Sequence, residues 1–199
     1  VSALLYDALQ LALGLPRSRR KVARLLEDVD GKRVVDVGAG TGAYIPALPS
    51  RVEYVAVDID AAKLRRLQAK YPSRRTIRAD GTALPLPDAA AEYGLCIAVA
   101  HHLSDDQLAR LVDELARVVT EGLVFLDPLR ADESIRSRLL WRIDQGAHPR
   151  TAAALIEALE RRFDIVSCER YRIVHGYLLC LCRPREAGAV RAPAYSSGP

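Results

Sequence analysis

Hydrophobic positions along the chain alternate between two periods. Short β-branched or apolar runs at residues 33–37, 54–57, 76–78, 93–99 and 123–126 read as strands. Helical spacing takes over between them. Residues 61–70 set Leu64 and Leu67 on one side, and residues 107–119 set Leu108, Leu111, Val112 and Leu115 at i, i+3, i+4 and i+7. Residues 44–48 begin a helix that stops near Pro49, and residues 134–143 and 151–162 read as two more. Ahead of the first strand, residues 3–15 and 18–26 have helical spacing, broken at Gly14, Leu15 and Pro16. Two closing strands, residues 164–174 and 177–182, flank His175 and Gly176. Their link is too short for a parallel crossover, so they pair as an antiparallel hairpin.

This alternation predicts an α/β fold: a Rossmann-like, seven-stranded, mainly parallel sheet with helices on both faces and a C-terminal antiparallel hairpin. One domain over residues 1–185 is expected. Within it, residues 1–30 form an N-terminal helical cover and residues 128–150 an insertion on the substrate side. Residues 186–199, poor in apolar side chains, form a flexible tail. A length of 199 residues suits a single domain.

Composition narrows the picture little. The net charge is +4, with basic clusters at Arg17, Arg20, Lys21 and Arg24, at Arg74, Arg75 and Arg78, and at Arg161 and Arg162. Acidic residues are interspersed and no stacking aromatics interleave, so these read as solvated surface and no nucleic-acid partner is expected. No apolar run approaches the ~20 residues of a membrane span. The first stretch holds Asp7 and Gln10 and lacks a basic start, so it does not read as a signal peptide. Cys96, Cys168, Cys180 and Cys182 lie in apolar runs and read as buried, reduced thiols of a cytoplasmic protein, without the paired spacing of a metal site.

The strongest chemical signal is the run Val34, Val35, Asp36, Val37, Gly38, Ala39, Gly40, Thr41, Gly42, where a strand feeds a glycine turn. Gly38, Gly40 and Ala43 also satisfy the dinucleotide pattern G-x-G-x-x-A. Three carboxylates bear on the choice. Asp36, inside the strand, would repel a pyrophosphate but suits a cationic ligand. Asp58, ending the second strand, is placed to accept ribose hydroxyls in either kind of cofactor. Asp80, after the third strand, can accept the exocyclic amine of an adenine. The plain alternative for each is a turn or cap residue.

The runs DVGAGTG at 36–42, VDID at 57–60 and ADGTALP at 79–85 resemble successive motifs of class I S-adenosylmethionine-dependent methyltransferases. The closest flavour is the type 11 group, similar to quinone-biosynthesis enzymes, whose segment after the third strand LPLPD at 84–88 also resembles. The likeness covers Gly31 to about Asp127. It implies that the glycine loop and Asp36 face the methionyl part of S-adenosylmethionine, Asp58 the ribose, and Asp80, Gly81 and Thr82 the adenine. The implied cofactor-binding set is Tyr6, Asp36, Gly38, Ala39, Gly40, Thr41, Gly42, Asp58, Ile59, Asp80, Gly81, Thr82 and Ala98. Thr120, Glu121 and Gly122 stand where the family has a Pro–Gly–Gly turn, which shortens that turn.

Ligands of open α/β sheets bind beyond the carboxyl ends of the strands. His102 and Asp127, at the ends of the fourth and fifth strands, are the candidate catalytic residues, with His102 as base or acceptor-orienting group. His101, Trp141 and His148 are candidates for the acceptor side. For the histidines the alternative is a capping or backbone contact, and for Trp141 a core or homodimer contact. The sequence has no Pro–Pro–aromatic motif after the fourth strand, which disfavours methylation of nucleic-acid exocyclic amines. The expectation is methyl transfer to an oxygen, nitrogen or carbon of a small-molecule acceptor, without a metal. A cofactor-binding scaffold or accessory protein that does not methylate is the competing reading, followed by an NAD-dependent oxidoreductase and an RNA methyltransferase. Asp36, Asp80 and the absence of a Tyr-x-x-x-Lys pair disfavour the oxidoreductase.

Overall fold

The structure is a computed structural model and describes residues 14–130, 148–173 and 176–185. The expected helix at residues 3–15, Tyr6, the insertion helix with Trp141, His175 and the tail therefore lie outside the described residues.

Helix α1 (Leu15–Arg24) starts inside the region expected to break it, at the second of its three residues. Pro16 sits in the first turn, where its missing N–H costs nothing, and Gly14 takes a left-handed turn at φ 105°. Then follow β1 (Arg33–Val37), β2 (Glu53–Asp58), α2 (Ala61–Lys70), β3 (Arg75–Arg78), β4 (Ala91–Ile97), α3 (Asp105–Val118), β5 (Val119–Pro128), α4 (Ala152–Glu160), β6 (Phe163–Arg172) and β7 (Gly176–Pro184). They form one seven-stranded sheet in the order β3-β2-β1-β4-β5-β7-β6. The five strands from β3 to β5 are parallel, and β7 runs antiparallel to β5 and β6. The expected fold is found.

Each face of the sheet carries its own core. Val35, Val37, Cys96, Phe125 and Cys180 pack with Leu108, Leu111 and Leu115 of α3 and Leu155 and Leu159 of α4. On the opposite face, Val34, Tyr54, Leu95 and Val124 pack with Val22 of α1 and Leu64 and Leu67 of α2. The central strands are buried on both faces, which is why they read as continuous apolar runs.

Two local expectations are corrected. The helix expected at residues 44–48 is only a 3₁₀ turn, Ile45–Ala47. Gly42 is left-handed at φ 78°, and Pro46 and Pro49 leave too few donors for a helical ladder before β2. Helix α1 covers this stretch instead, with Arg19 Nε donating to the Ala43 carbonyl at 2.5 Å. Nor is there a shortened turn at residues 120–122: α3 runs directly into β5, which contains all three residues. Among the described residues, no helix is long and apolar enough to cross a membrane.

Candidate functional site

The parallel strands end together, and the residues they deliver there make the site. β1 brings Asp36 to the edge and hands over to Gly38, Gly40 and Gly42, all left-handed at φ 80°, 56° and 78°. The amides of Gly38 and Ala39 both donate to the Val57 carbonyl, at 2.8 and 3.1 Å, and Gly42 donates to Ala39 at 3.0 Å. Gly40 donates to Asp58 Oδ2 at 2.8 Å. A pyrophosphate loop would turn such amides outward and back them with a helix N-terminus. Here they are spent inside the protein and only a 3₁₀ turn follows. The loop therefore offers few donors to an anion and sits among carboxylates, which suits a ligand carrying positive charge.

The glycines are not equivalent. A Cβ on Gly38 would lie 2.2 Å from Val99 Cγ2, so this glycine closes the loop against the turn after β4. A Cβ on Gly40 would meet nothing within 4 Å. Gly40 borders open space.

Asp36 is buried, and the Tyr54 hydroxyl donates to its Oδ2 at 2.6 Å. Burial pushes this carboxyl up to about 7; the Tyr54 hydrogen bond opposes the rise and the nearby Asp58 charge adds to it. Asp58 is also buried and accepts from Gly40 at Oδ2 and from the Asp60 amide at Oδ1, the latter at 2.8 Å. Beside it Ile59 is 65% exposed, a large apolar side chain left in water next to the glycine loop. Asp80 is exposed and accepts from the Thr82 amide at 2.8 Å and hydroxyl at 2.9 Å, fixing the turn after β3. Gly81 lies against Val37 and Leu111, where a Cβ would come within 2.9 and 3.1 Å, so packing alone demands a glycine. Ala98 is exposed at φ 57°, a strained conformation for a residue with a Cβ. Thr41 is half-buried in the loop.

The acceptor-side candidates gather on a 3₁₀ turn, Ala100–His102. His101 points inward and is 1% exposed. Its Nδ1 is 3.1 Å from Asp127 Oδ1, which also accepts the Ala100 amide at 3.1 Å. Asp127 Oδ2 has no hydrogen-bond partner among the described residues. Burial raises the Asp127 carboxyl, against the pull of His101. His102 is exposed, its ring centroid 4.0 Å from that of His101. His148 is exposed, and its amide donates to the His101 carbonyl at 2.9 Å. The structure thus brings His101, His102, Asp127 and His148 together, with His101 and Asp127 beneath the surface and His102 upon it.

Arg150 ties this corner together. Nearly buried, it donates to the carbonyls of Ala100 at 2.7 Å, Leu103 at 2.6 Å and His148 at 3.3 Å, and to Asp105 Oδ1 at 2.7 Å. Sequence reading placed Arg150 only at the end of the insertion. No local pattern marks an arginine whose partners lie some 45–50 residues away. A cleft of about 560 Å³ opens beside this brace, lined by Asp105 and Arg150 themselves and, along α3 and α4, by residues such as Ala109, Glu157 and Arg161. None of the glycine loop, Asp36, Asp58 or Asp80 borders it.

The class is defined first by this geometry: an α/β domain whose glycine loop, backed by Asp36 and Asp58 at the carboxyl ends of its strands, suits a ligand of positive charge. The family model described as "Methyltransferase domain" matches residues 35–126. The chain is 30% identical over 139 residues to a tRNA (carboxymethyluridine(34)-5-O)-methyltransferase of Arabidopsis thaliana, covering 68% of this chain and 34% of that one. It is 37% identical over 82 residues to a probable S-adenosylmethionine-dependent methyltransferase of Mycobacterium tuberculosis, covering 41% and 29%. A methyltransferase of Methanosarcina mazei shares the fold at a TM-score of 0.67 and 16% identity, over 78% of this chain and 93% of that one. The magnesium protoporphyrin IX methyltransferase of Synechocystis, solved with S-adenosylhomocysteine, does so at 0.68 and 18%, over 85% and 84%. The chain belongs to the class I S-adenosylmethionine-dependent methyltransferases. It spans about a third of the length of the curated relatives it matches, and the matches do not single out the quinone-biosynthesis group.

Proposed function

We propose that this domain transfers the methyl group of S-adenosylmethionine to a small-molecule acceptor held over residues 98–102. The observation that carries the reading is the donor-poor, carboxylate-rich glycine loop, with Asp36 and Asp58 behind it and Ile59 exposed beside it. These residues fit the cofactor's parts: Asp58 for the ribose hydroxyls, Ile59 for the adenine face, Asp80 for its amine, and Asp36 as the negative charge nearest the methionyl end. When bound, the cofactor supplies an activated methyl whose in-line displacement depends mainly on alignment and exclusion of water. The protein's part is then positional. Gly38 and Val99 hold the loop against the turn after β4, Arg150 and Asp127 hold that turn, and His102 stands at its surface, where it can orient an acceptor or take its proton.

The acceptor class rests on resemblance. Structural neighbours include the protoporphyrin methyltransferase and a geranyl diphosphate C-methyltransferase, which support a small molecule. An RNA acceptor is the second reading, because the tRNA enzyme matches over 68% of the chain. A [4+2]-cyclase also shares the fold at a TM-score of 0.69, so methyl transfer itself needs a test.

Calorimetry should show S-adenosylhomocysteine binding tighter than NAD or NADP; tighter NAD binding would overturn the cofactor assignment. Methyl-tritiated cofactor should then label the small-molecule fraction of a cell extract. Label confined to the tRNA fraction would select the second reading, and binding without label in either would reject methyl transfer.

A further inference from the structure

Three of the four cysteines share one face of the sheet near its edge. Cys168 of β6 and Cys180 of β7 are direct partners across antiparallel strands, with their sulfurs 2.7 Å apart. Cys182 follows two residues along β7 on the same face. Cys168 is exposed, whereas Cys180 and Cys182 are buried; burial of all four, expected from their apolar runs, fails at the edge strand.

Register decides which thiols can join. Opposed residues of antiparallel strands have Cα atoms about 4.5–5.5 Å apart, within the roughly 4.4–6.8 Å that a disulfide spans. Cys180 and Cys182 are about 6.6 Å apart along one strand with parallel side chains, which a disulfide cannot bridge. Cys96 is two strands from Cys180, with Phe125 between them.

We infer that Cys168 and Cys180 form a modification site, a dithiol that an oxidant of the hydroperoxide class converts to a disulfide stapling β6 to β7. The Cys168 thiolate attacks the peroxide oxygen, giving a sulfenic acid and, with hydrogen peroxide, one water. The Cys180 sulfur then displaces the sulfenic oxygen, which leaves as a second water with the Cys180 proton. Two thiols and one peroxide become one disulfide and two waters. The bond fastens the outermost strand of the sheet to β7, whose Leu178 pairs with Asp127 of the site.

The surroundings make this a slow staple. Burial, with the neighbouring Cys180 thiol, pushes Cys168 up to about 12, and the neighbouring Cys182 thiol together with burial raises Cys180 as well. Thiolate is scarce at neutral pH, so the peroxide step should quicken about tenfold per pH unit. Both thiols are poor leaving groups, so the disulfide, once formed, resists exchange.

Hydrogen peroxide treatment of the full chain tests this. The intact mass should fall by about 2 Da, peptide mapping should join the peptides holding Cys168 and Cys180, and dithiothreitol should reverse both changes. Cys168→Ser should not form the link and Cys96→Ser should. Because Cys168 is exposed, Cys168→Ala serves as a second variant, with circular dichroism checking its fold. A sulfinic acid on Cys168, a link to Cys182 or to another chain, or no change in mass would each overturn the assignment.

Discussion

At the residue scale, Asp36 and Asp58 do different work although both are buried carboxylates behind one loop. Asp58 accepts from two backbone amides and so shapes the loop that it serves. Asp58→Ala should weaken S-adenosylhomocysteine binding about 10- to 100-fold, from the ~1.5–3 kcal/mol of a charged hydrogen bond, measured by calorimetry on a folded variant. Asp36 accepts, among the described residues, from the Tyr54 hydroxyl, and burial pushes its carboxyl up to about 7. A cationic cofactor favours the ionised form, so binding should expel a proton and strengthen as pH rises from about 6 to 8. Asp36→Asn should flatten that profile; a profile unchanged by the variant would separate Asp36 from the cofactor. His102, alone exposed among the paired histidines, should behave as a functional group. His102→Ala should leave cofactor affinity and stability close to wild type and slow turnover by ~100-fold or more if it takes a proton. His101→Ala should instead lower stability, because it empties a buried site and strands the Asp127 carboxylate. Their chemistry was legible in residue type. Their division of labour was not, because adjacent positions on a 3₁₀ turn point in opposite directions with nothing local to say which is inside.

At the element scale, the glycine loop separates two reasons for lacking a side chain. Gly38→Ala should disrupt the fold, since its Cβ would collide with Val99 and its backbone is left-handed. Gly40→Ala should cost only ~1–2 kcal/mol of stability from its left-handed backbone, yet should sharply weaken cofactor binding, because its Cβ enters the open side of the loop. Thermal melts and calorimetry on the two variants check the contrast; equal loss of fold in both would place Gly40 in the packing. The strands and the helices α2, α3 and α4 were legible from periodicity. The element after the loop was not: the left-handed Gly42 and Pro46 hold it to a 3₁₀ turn where a helix was expected. What covers that side of the sheet is α1, which comes from elsewhere in the chain.

At the scale of the whole molecule, buried carboxyls set an unusual dependence of stability on pH. Asp36 holds its proton more tightly folded than unfolded. Its contribution is therefore full below the ordinary value of 3.8 and is lost as pH rises through about 7. Asp127, raised in the same direction, adds to the loss. Glu92, held down to about 2 by Arg33, works oppositely and loses stability as pH falls below 4.5. The ligand-free protein should melt highest near pH 4 and progressively lower toward pH 7, as scanning calorimetry can follow. Asp36→Asn should remove much of the fall above pH 4. A melting temperature that rises steadily from pH 4 to 7 in wild type would show that Asp36 is ionised in the folded protein.

The sequence by itself determined the α/β fold, the order of its elements and the cofactor motif. Those depend on local periodicity and on a short run of residues whose spacing carries its own geometry. Only the tertiary structure decided the rest. Which loop amides are spent, which histidine is buried, that Arg150 braces the acceptor corner, and that Cys168 meets Cys180 all depend on contacts between residues far apart in the chain. Such contacts arise from strand register and packing, and pairs of this kind leave no periodic trace in the sequence.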